Sequence, residues 1–367
     1  MRFSPLTERV AGKGVEAWAI HHAAVHWRDA GEDVILLTVG NPDQAPPAPL
    51  IEATVSALRE HRTGYAPTIG YPWLREAIAA RQARHTGQPC TADNVAVVPG
   101  AQGGLFAALQ CLAGAGDEVI VLEPTYATYE AVVGATAARI VLAPLRSDRG
   151  FHPDIDRIAA AVTPRTRVLW SNTPHNPTGA VFTPEEIAGI AAICRRRDLW
   201  LLSDEVYEDL AFARPHLSAW SLPDMAERTV VVSSLSKSHA LPAFRLGWVV
   251  GPPALTRHLT NLLLCMTYGS PAFIQAGALA AFTAELPEVE ICAPIIGPGP
   301  SWSAASSLMR RIAGSFRRKA ACSCCSTSAE PGSARSNLPS SCSTVNGLRS
   351  SPATVSARAR PGICASR

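Results

Sequence analysis

Lysine is scarce in this chain, and one lysine stands where a reactive amine would be useful. The 367 residues hold three lysines, Lys13, Lys237 and Lys319, against thirty arginines. Arginine keeps its proton in a protein; lysine can lose it and then form an imine with an aldehyde. Lys237 follows Ser233-Ser234-Leu235-Ser236, and Arg245 comes eight residues later in Phe244-Arg245-Leu246-Gly247. Hydroxyls before the amine and a guanidinium after it suit a phosphate. Together they point to a phosphorylated aldehyde, pyridoxal 5'-phosphate. The plain alternative is a surface lysine after a Ser-rich turn.

Four other segments set polar residues just after apolar runs. Pro99-Gly100-Ala101-Gln102-Gly103-Gly104 leads into a helical pattern. Small residues there let backbone N–H groups approach a phosphate at a helix N-terminus, although a simple tight turn has the same composition. Glu123-Pro124-Thr125-Tyr126 offers an aromatic ring that could stack on a flat heterocycle or serve as core. Asn172-Thr173-Pro174-His175-Asn176-Pro177-Thr178-Gly179 has two X-Pro steps, which fix an irregular loop and give the Asn176 side chain a set direction. In Ser203-Asp204-Glu205-Val206-Tyr207, Asp204 lies where a buried carboxylate could meet a pyridinium nitrogen. Asp204 could equally cap a following helix, and both roles are compatible.

The elements that must position these residues are legible as apolar periods. Strand candidates are Val34–Val39, Val95–Val98, Glu118–Leu122, Arg139–Leu142, Arg167–Ser171, Trp200–Ser203, Thr229–Ser233 and Gly247–Val250. Helical patterns separate most of them, at Pro49–His61, Pro72–His85, Gln102–Leu112 and Pro184–Arg196, and Ser270–Glu288 reads as one more. Continuously apolar strands alternating with helices predict a doubly wound, mostly parallel α/β sheet covered on both faces. In such a sheet, ligands gather at the C-terminal ends of the strands.

Composition bounds the rest. Net charge is +3, but residues 291–367 hold ten bases and one acid (Glu330), while residues 1–290 hold 23 bases and 29 acids. The body is thus mildly acidic, without a nucleic-acid footprint. The N-terminus has no apolar signal region, and no run of eighteen apolar residues suggests a membrane span. Cys90, Cys111, Cys194 and Cys265 read as reduced core cysteines of a cytoplasmic protein. The other six lie in the tail without the paired spacing of a zinc site, so no metal is expected. After Ile291 the periods vanish and Ser, Ala, Arg, Pro and Cys dominate. Residues 291–367 are expected to be disordered, or GC-rich DNA translated in a shifted frame.

The motifs Asn176-Pro177-x-Gly179, Asp204-x-x-Tyr207 and Ser234-x-Ser236-Lys237 with Arg245 resemble those of the class I/II aminotransferases, which are fold-type I pyridoxal-phosphate enzymes. The resemblance spans residues 10–290; within the family, Ser236–Leu241 and Leu264–Pro271 are similar to the subfamily that pairs arginine with pyruvate. It implies amino-group transfer between an α-amino acid and an α-keto acid. Lys237 would hold the cofactor and shuttle the Cα proton; Asp204 would keep the ring nitrogen protonated. Asn176 and Tyr207 would bind the ring's phenolate oxygen, and Tyr126 would stack on the ring. Ala101, Gln102, Ser234, Ser236 and Arg245 would hold the phosphate. Gly64–Gly70 resembles the family's dimer-contact segment, so a homodimer is implied, with Tyr65 reaching the partner's phosphate. Gly40 and Asn176 would line the substrate side. In domain terms, residues 1–33 are an N-terminal arm of a small domain and 34–290 the large domain.

Two departures qualify the resemblance. Ala243 stands where the family usually has Gly. More seriously, the tail shows no small domain and no late arginine in a strand-like setting for the substrate carboxylate, so impaired turnover is expected. A lyase or racemase on the same fold would use the same cofactor residues. A DNA-binding regulator is disfavoured, because about thirty residues precede the first strand.

Overall fold

The computed structural model describes residues 1–286 apart from Gly12, Asp43, Phe212 and Ala213; the tail from residue 291, with its expected disorder or shifted frame, lies outside the described residues. Those described fall into two compact units, residues 1–14 with 41–286, and residues 15–40.

The larger unit is built on one seven-stranded sheet. Its strands are β1 (Val95–Val98), β2 (Glu118–Glu123), β3 (Arg139–Pro144), β4 (Thr166–Asn172), β5 (Trp200–Asp204), β6 (Thr229–Ser234) and β7 (Gly247–Val250), in the order β1-β7-β6-β5-β4-β2-β3. The β3, β2, β4, β5 and β6 neighbours pair in parallel. β7 runs antiparallel to both β6 and β1, with Gly247 opposite Ser234 on one side and Val98 on the other. The start of β7 therefore lies beside the C-terminal ends of its neighbours, which brings Arg245 to the same edge as Ser234 and Gly100.

Alternation along the strands sorts the core onto two faces. On one face, Val98, Val119, Val121, Trp170, Leu202 and Val232 pack with Leu105, Leu109 and Tyr129. Ile120, Leu122, Leu169 and Leu201 meet the helix Pro184–Arg197 through Ile187 and Ile190. Val95, Val97, Val231 and Trp248 pack with Leu50, Leu74, Ile78 and Ala278 in a third cluster. Each such fully buried aliphatic side chain contributes about 1.5–3 kcal/mol relative to exposure. The helix Pro184–Arg197 carries its own start signal, a Thr183/Glu186 capping box with Pro184 in the first turn. The expected helices at Pro49, Pro72 and Gln102 are present as Ala48–Arg59, Pro72–Thr86 and Gly100–Leu112, and Ala272–Thr283 lies within the fifth expectation.

One expected strand does not form. The smaller unit contains part of the helix Lys13–Asp29 and the stretch Val34–Val39, which is coil. Its alternation leaves Ile35, Leu37 and Val39 on the exposed side. A strand needs a ladder partner for its N–H and C=O groups, and among the described residues this stretch has none. His21 Nδ1 lies 2.6 Å from Thr38 Oγ1 and ties the stretch to the helix.

Candidate active site

Asp204 is the last residue of β5 and is buried. Its Oδ2 accepts a hydrogen bond from the Tyr129 hydroxyl at 2.6 Å, and its Oδ1 accepts from the Val206 N–H at 3.2 Å. Burial pushes the carboxyl up to about 6, while the Tyr129 and Val206 donors hold it from rising further and the Glu205 charge pushes it up. No α-helix follows, so the expected helix cap is corrected: the carboxylate closes a local turn, ahead of a short 3-10 turn at Glu208–Leu210.

The loop after β4 is held from behind. Asn172 ends β4; its Oδ1 accepts the Asn176 N–H at 2.7 Å and its Nδ2 donates to the Asp204 carbonyl at 3.0 Å. Asn176 Nδ2 then donates to the Tyr207 hydroxyl oxygen at 3.0 Å. Burial is the main reason the Tyr207 phenol titrates above its usual range, with the Asp204 charge adding to it. Tyr207 thus keeps its proton, and Asn176 uses only its oxygen, so the O–H is suited to donate onward. Tyr126, partly exposed, meets Tyr129 edge to face with ring centroids 5.8 Å apart.

β6 ends at Ser234, whose Oγ accepts the Ser236 N–H at 3.3 Å. Lys237 is half-buried, and burial lowers its pKa. Across the edge, the helix Gly100–Leu112 begins under Arg245. Arg245 donates from Nη1 to the Pro242 carbonyl at 2.9 Å and from Nη2 to the Pro99 carbonyl at 3.4 Å. Gly100 has φ +72°, and a Cβ there would drive into the Arg245 guanidinium, its Cζ at 2.9 Å. A Cβ on Gly247 would lie 2.7 Å from the Gly100 carbonyl carbon and 2.8 Å from the Ala101 nitrogen. The two glycines thus let a helix N-terminus, with Ala101 and Gln102 in its first turn, sit against Arg245 and the β6 end. Thr128 Oγ1 donates to Gln102 Oε1 at 2.8 Å, linking this turn to the Tyr126 loop.

Ten of the twelve residues expected from sequence therefore gather at one edge of the sheet. Tyr65 does not: it is 88% exposed, its ring 5.2 Å from that of Tyr268. Gly40 belongs to the smaller unit. Sequence reasoning missed Tyr129 and Asn172. Tyr129 had a signal, its place at the head of an i, i+3, i+4, i+7 face with Val132, Val133 and Thr136, which turns it toward the core. The constellation can hold a planar, phosphorylated aldehyde: hydroxyls, a guanidinium and a helix N-terminus for the phosphate, a buried carboxylate for a cationic ring nitrogen, a phenol for a ring oxygen, and an amine for the carbonyl. Among the described residues no group of His, Cys, Asp and Glu is arranged for a metal, and no helix is long and apolar enough to cross a membrane.

Comparison with known proteins gives the same picture. The profile of the family described as aminotransferase class I and II matches residues 32–290. The chain is 50% identical over 290 residues to arginine–pyruvate transaminase of Pseudomonas aeruginosa, covering 79% of this chain and 74% of the relative. It is 34% identical over 265 residues to the aspartate/prephenate aminotransferase of Thermus thermophilus, covering 72% and 68%. Among solved structures, aspartate aminotransferase from Thermus thermophilus with maleate superimposes with a TM-score of 0.75 at 32% identity, covering 87% of this chain and 78% of that one.

Proposed function

The chain belongs to the class I and II aminotransferases, and from that membership we propose that it binds pyridoxal 5'-phosphate and moves the amino group of arginine to pyruvate. Similarity to arginine–pyruvate transaminase supports the substrate pair. The observation carrying the cofactor reading is the end of two neighbouring strands: β5 finishes on a buried carboxylate, and three residues past β6 stands an amine whose pKa burial lowers.

When bound, the cofactor supplies an aldehyde to take up the amino group and an electron-poor ring to spread charge from the substrate Cα. The chain's residues do the rest. Lys237 Nζ would hold the aldehyde until the substrate amine displaces it and, once freed, would carry the proton at the substrate Cα. Asp204, as a carboxylate, would hold a protonated ring nitrogen. The Tyr207 hydroxyl and Asn176 amide bind the ring oxygen. Ser234, Ser236 and Arg245 bind the phosphate together with the Ala101 and Gln102 end of the helix. Tyr126 covers the ring face and excludes water. Asn176 would line the substrate side.

We read the assembly as a homodimer in the cytoplasm, with the exposed Tyr65 serving the phosphate of a second copy. Residues 291–367 we read as out of frame, which the end of the family match at residue 290 supports. Turnover is then low, because the substrate carboxylate lacks a dedicated arginine; the coding DNA in its other two frames tests this. The test of the main reading is spectroscopic. Full-length protein with pyridoxal 5'-phosphate gains a visible absorbance band that Lys237→Ala loses. Arginine alone then leaves the cofactor in its amine form, an outcome that a lyase or racemase does not give. A band unchanged in Lys237→Ala would refute the assignment.

A further inference from the structure

Tyr207 is followed by two acids whose placement the reaction does not use. Arg81, from the helix Pro72–Thr86, donates Nη1 to Glu208 Oε1 at 2.8 Å and Nη2 to both Asp209 oxygens at 2.8 and 3.0 Å. The Arg81 side chain is 11% exposed and that of Glu208 8%. The guanidinium also lies over the Trp248 ring, 5.9 Å from its centroid. Glu208 Oε1 accepts a second hydrogen bond, from Ser233 Oγ at 3.1 Å, and Glu208 Oε2 faces His85 Nδ1 at 3.7 Å. Ser233 alternates with Val232 and Ser234 on β6, so its hydroxyl points to the opposite sheet face from theirs.

We propose that Arg81 and Glu208 are positioning residues for the site, fixing Tyr207 on one side and the end of β6 on the other. The inference rests on the cofactor reading above. Glu208 is the residue after Tyr207, and Ser233 is the residue before Ser234, so one carboxylate ties both arms to one guanidinium. The turn Glu208–Leu210 has no fully buried residue of its own. Apolar packing therefore does little to place it, and the ionic contacts set where Tyr207 points. Arg81 keeps Glu208 well below the usual carboxylate range against the effect of burial, so the pair stays charged. A buried guanidinium shared by two carboxylates has a fixed fork geometry that an amine does not reproduce.

The test uses the full-length chain and pyridoxal 5'-phosphate in Arg81→Lys, Glu208→Gln and Ser233→Ala, with folding checked by circular dichroism. Two quantities are read: the dissociation constant for the cofactor, and the pH midpoint of the bound cofactor's visible absorbance. A displaced Tyr207 hydroxyl weakens the hold on the ring oxygen. The first two variants are thus expected to weaken binding by about tenfold, a typical loss for supporting contacts, and to move the midpoint in the direction Tyr207→Phe moves it. In a Tyr207→Phe background, Arg81→Lys should move the midpoint no further. A merely structural pair would lower thermal stability and leave the midpoint alone. If Arg81→Lys or Glu208→Gln does not fold, Ser233→Ala, which removes one hydroxyl, decides by the same two readouts. Unchanged binding and midpoint in the folded variants, or additive shifts with Tyr207→Phe, would overturn the positioning role. Failure of the wild-type chain to bind the cofactor would overturn the site reading first, and this inference with it.

Discussion

The two ends of the parallel strands carry similar residues and put them to different uses. At the N-terminal ends, Glu118 opens β2 and is 1% exposed. It accepts from Arg139 at 2.6 Å, from Arg165 Nε at 2.8 Å and from Thr163 Oγ1 at 2.7 Å, while Asp117 meets Arg167 at 3.2 Å. At the C-terminal ends, Asp204 closes β5 and is 4% exposed, yet its donors are a phenol and a backbone N–H. Glu118 is pulled down to about 2, with the Arg139 hydrogen bond first among the causes, and Asp204 is pushed up to about 6 by burial. A buried acid with its own cations is part of the scaffold. A buried acid supplied only with neutral donors is costly until a cation arrives, which is the environment a protonated ring nitrogen would complete.

The sharpest way to break this comparison is to remove groups from the C-terminal edge. Lys237→Ala should reduce transamination at least about a thousandfold, the scale of losing both the covalent anchor and the proton carrier. Asp204→Asn should lower turnover by about a hundredfold or more while weakening cofactor binding much less, since the role proposed for the carboxylate is exerted as charge develops on the ring. Steady-state rates beside cofactor titrations check both. An Asp204→Asn enzyme with near-normal turnover would reduce this acid to a turn-former and erase the distinction from Glu118.

How much of this edge was legible depended on whether the signal was local. Asn176 and Lys237 stand in short polar loops directly after an apolar run, Asp204 closes such a run, and the structure brings those runs together. The sheet's one reversed strand was not legible: Gly247–Val250 reads as apolar in either direction, yet its antiparallel course is what sets Arg245 against Gly100. Val34–Val39 has strand chemistry without a ladder, a property of distant residues rather than of the stretch itself. Tyr65 carries no local signal beyond the family resemblance, and its exposure in one chain is compatible with the role proposed for it. Tyr129 was legible only as a helix-period aromatic, because what makes it functional is the depth at which it meets Asp204.

That depth gives a smaller effect with a defined sign. Tyr129→Phe keeps the ring, whose centroid is 4.1 Å from that of Trp170, and deletes the hydroxyl. The lost hydrogen bond favoured the charged form of Asp204, so without it the carboxyl titrates higher than about 6. Cofactor binding should stabilise the carboxylate in both proteins. The variant should nonetheless lose about tenfold in rate near pH 6 and less near pH 8, as the acid limb of its rate profile moves up. A uniform loss across that range would mean that Tyr129 serves packing alone.

The smallest functional effect is expected at the other end of the sheet. Glu118→Gln should leave cofactor affinity and turnover unchanged, because Glu118 and Arg139 open β2 and β3 at the opposite end of the sheet from the strand ends that form the site. Its cost should appear in stability, as a small fall in Tm at pH 7. The sign of the pH dependence follows from the depressed pKa. A carboxylate that titrates near 4.3 when unfolded and about 2 when folded stabilises the fold fully above about pH 5. That contribution is lost as pH falls toward the folded value. Glutamine does not titrate, so the gap in Tm between wild type and variant should be widest at neutral pH and close progressively from pH 5 to pH 3. Added salt should narrow the gap at neutral pH as well, since Arg139 and Arg165 both reach solvent. Melting curves across that range check the claim. A gap that stays constant with pH would show that shape, rather than charge, holds this end together, and the contrast between the two buried acids would lose its electrostatic basis.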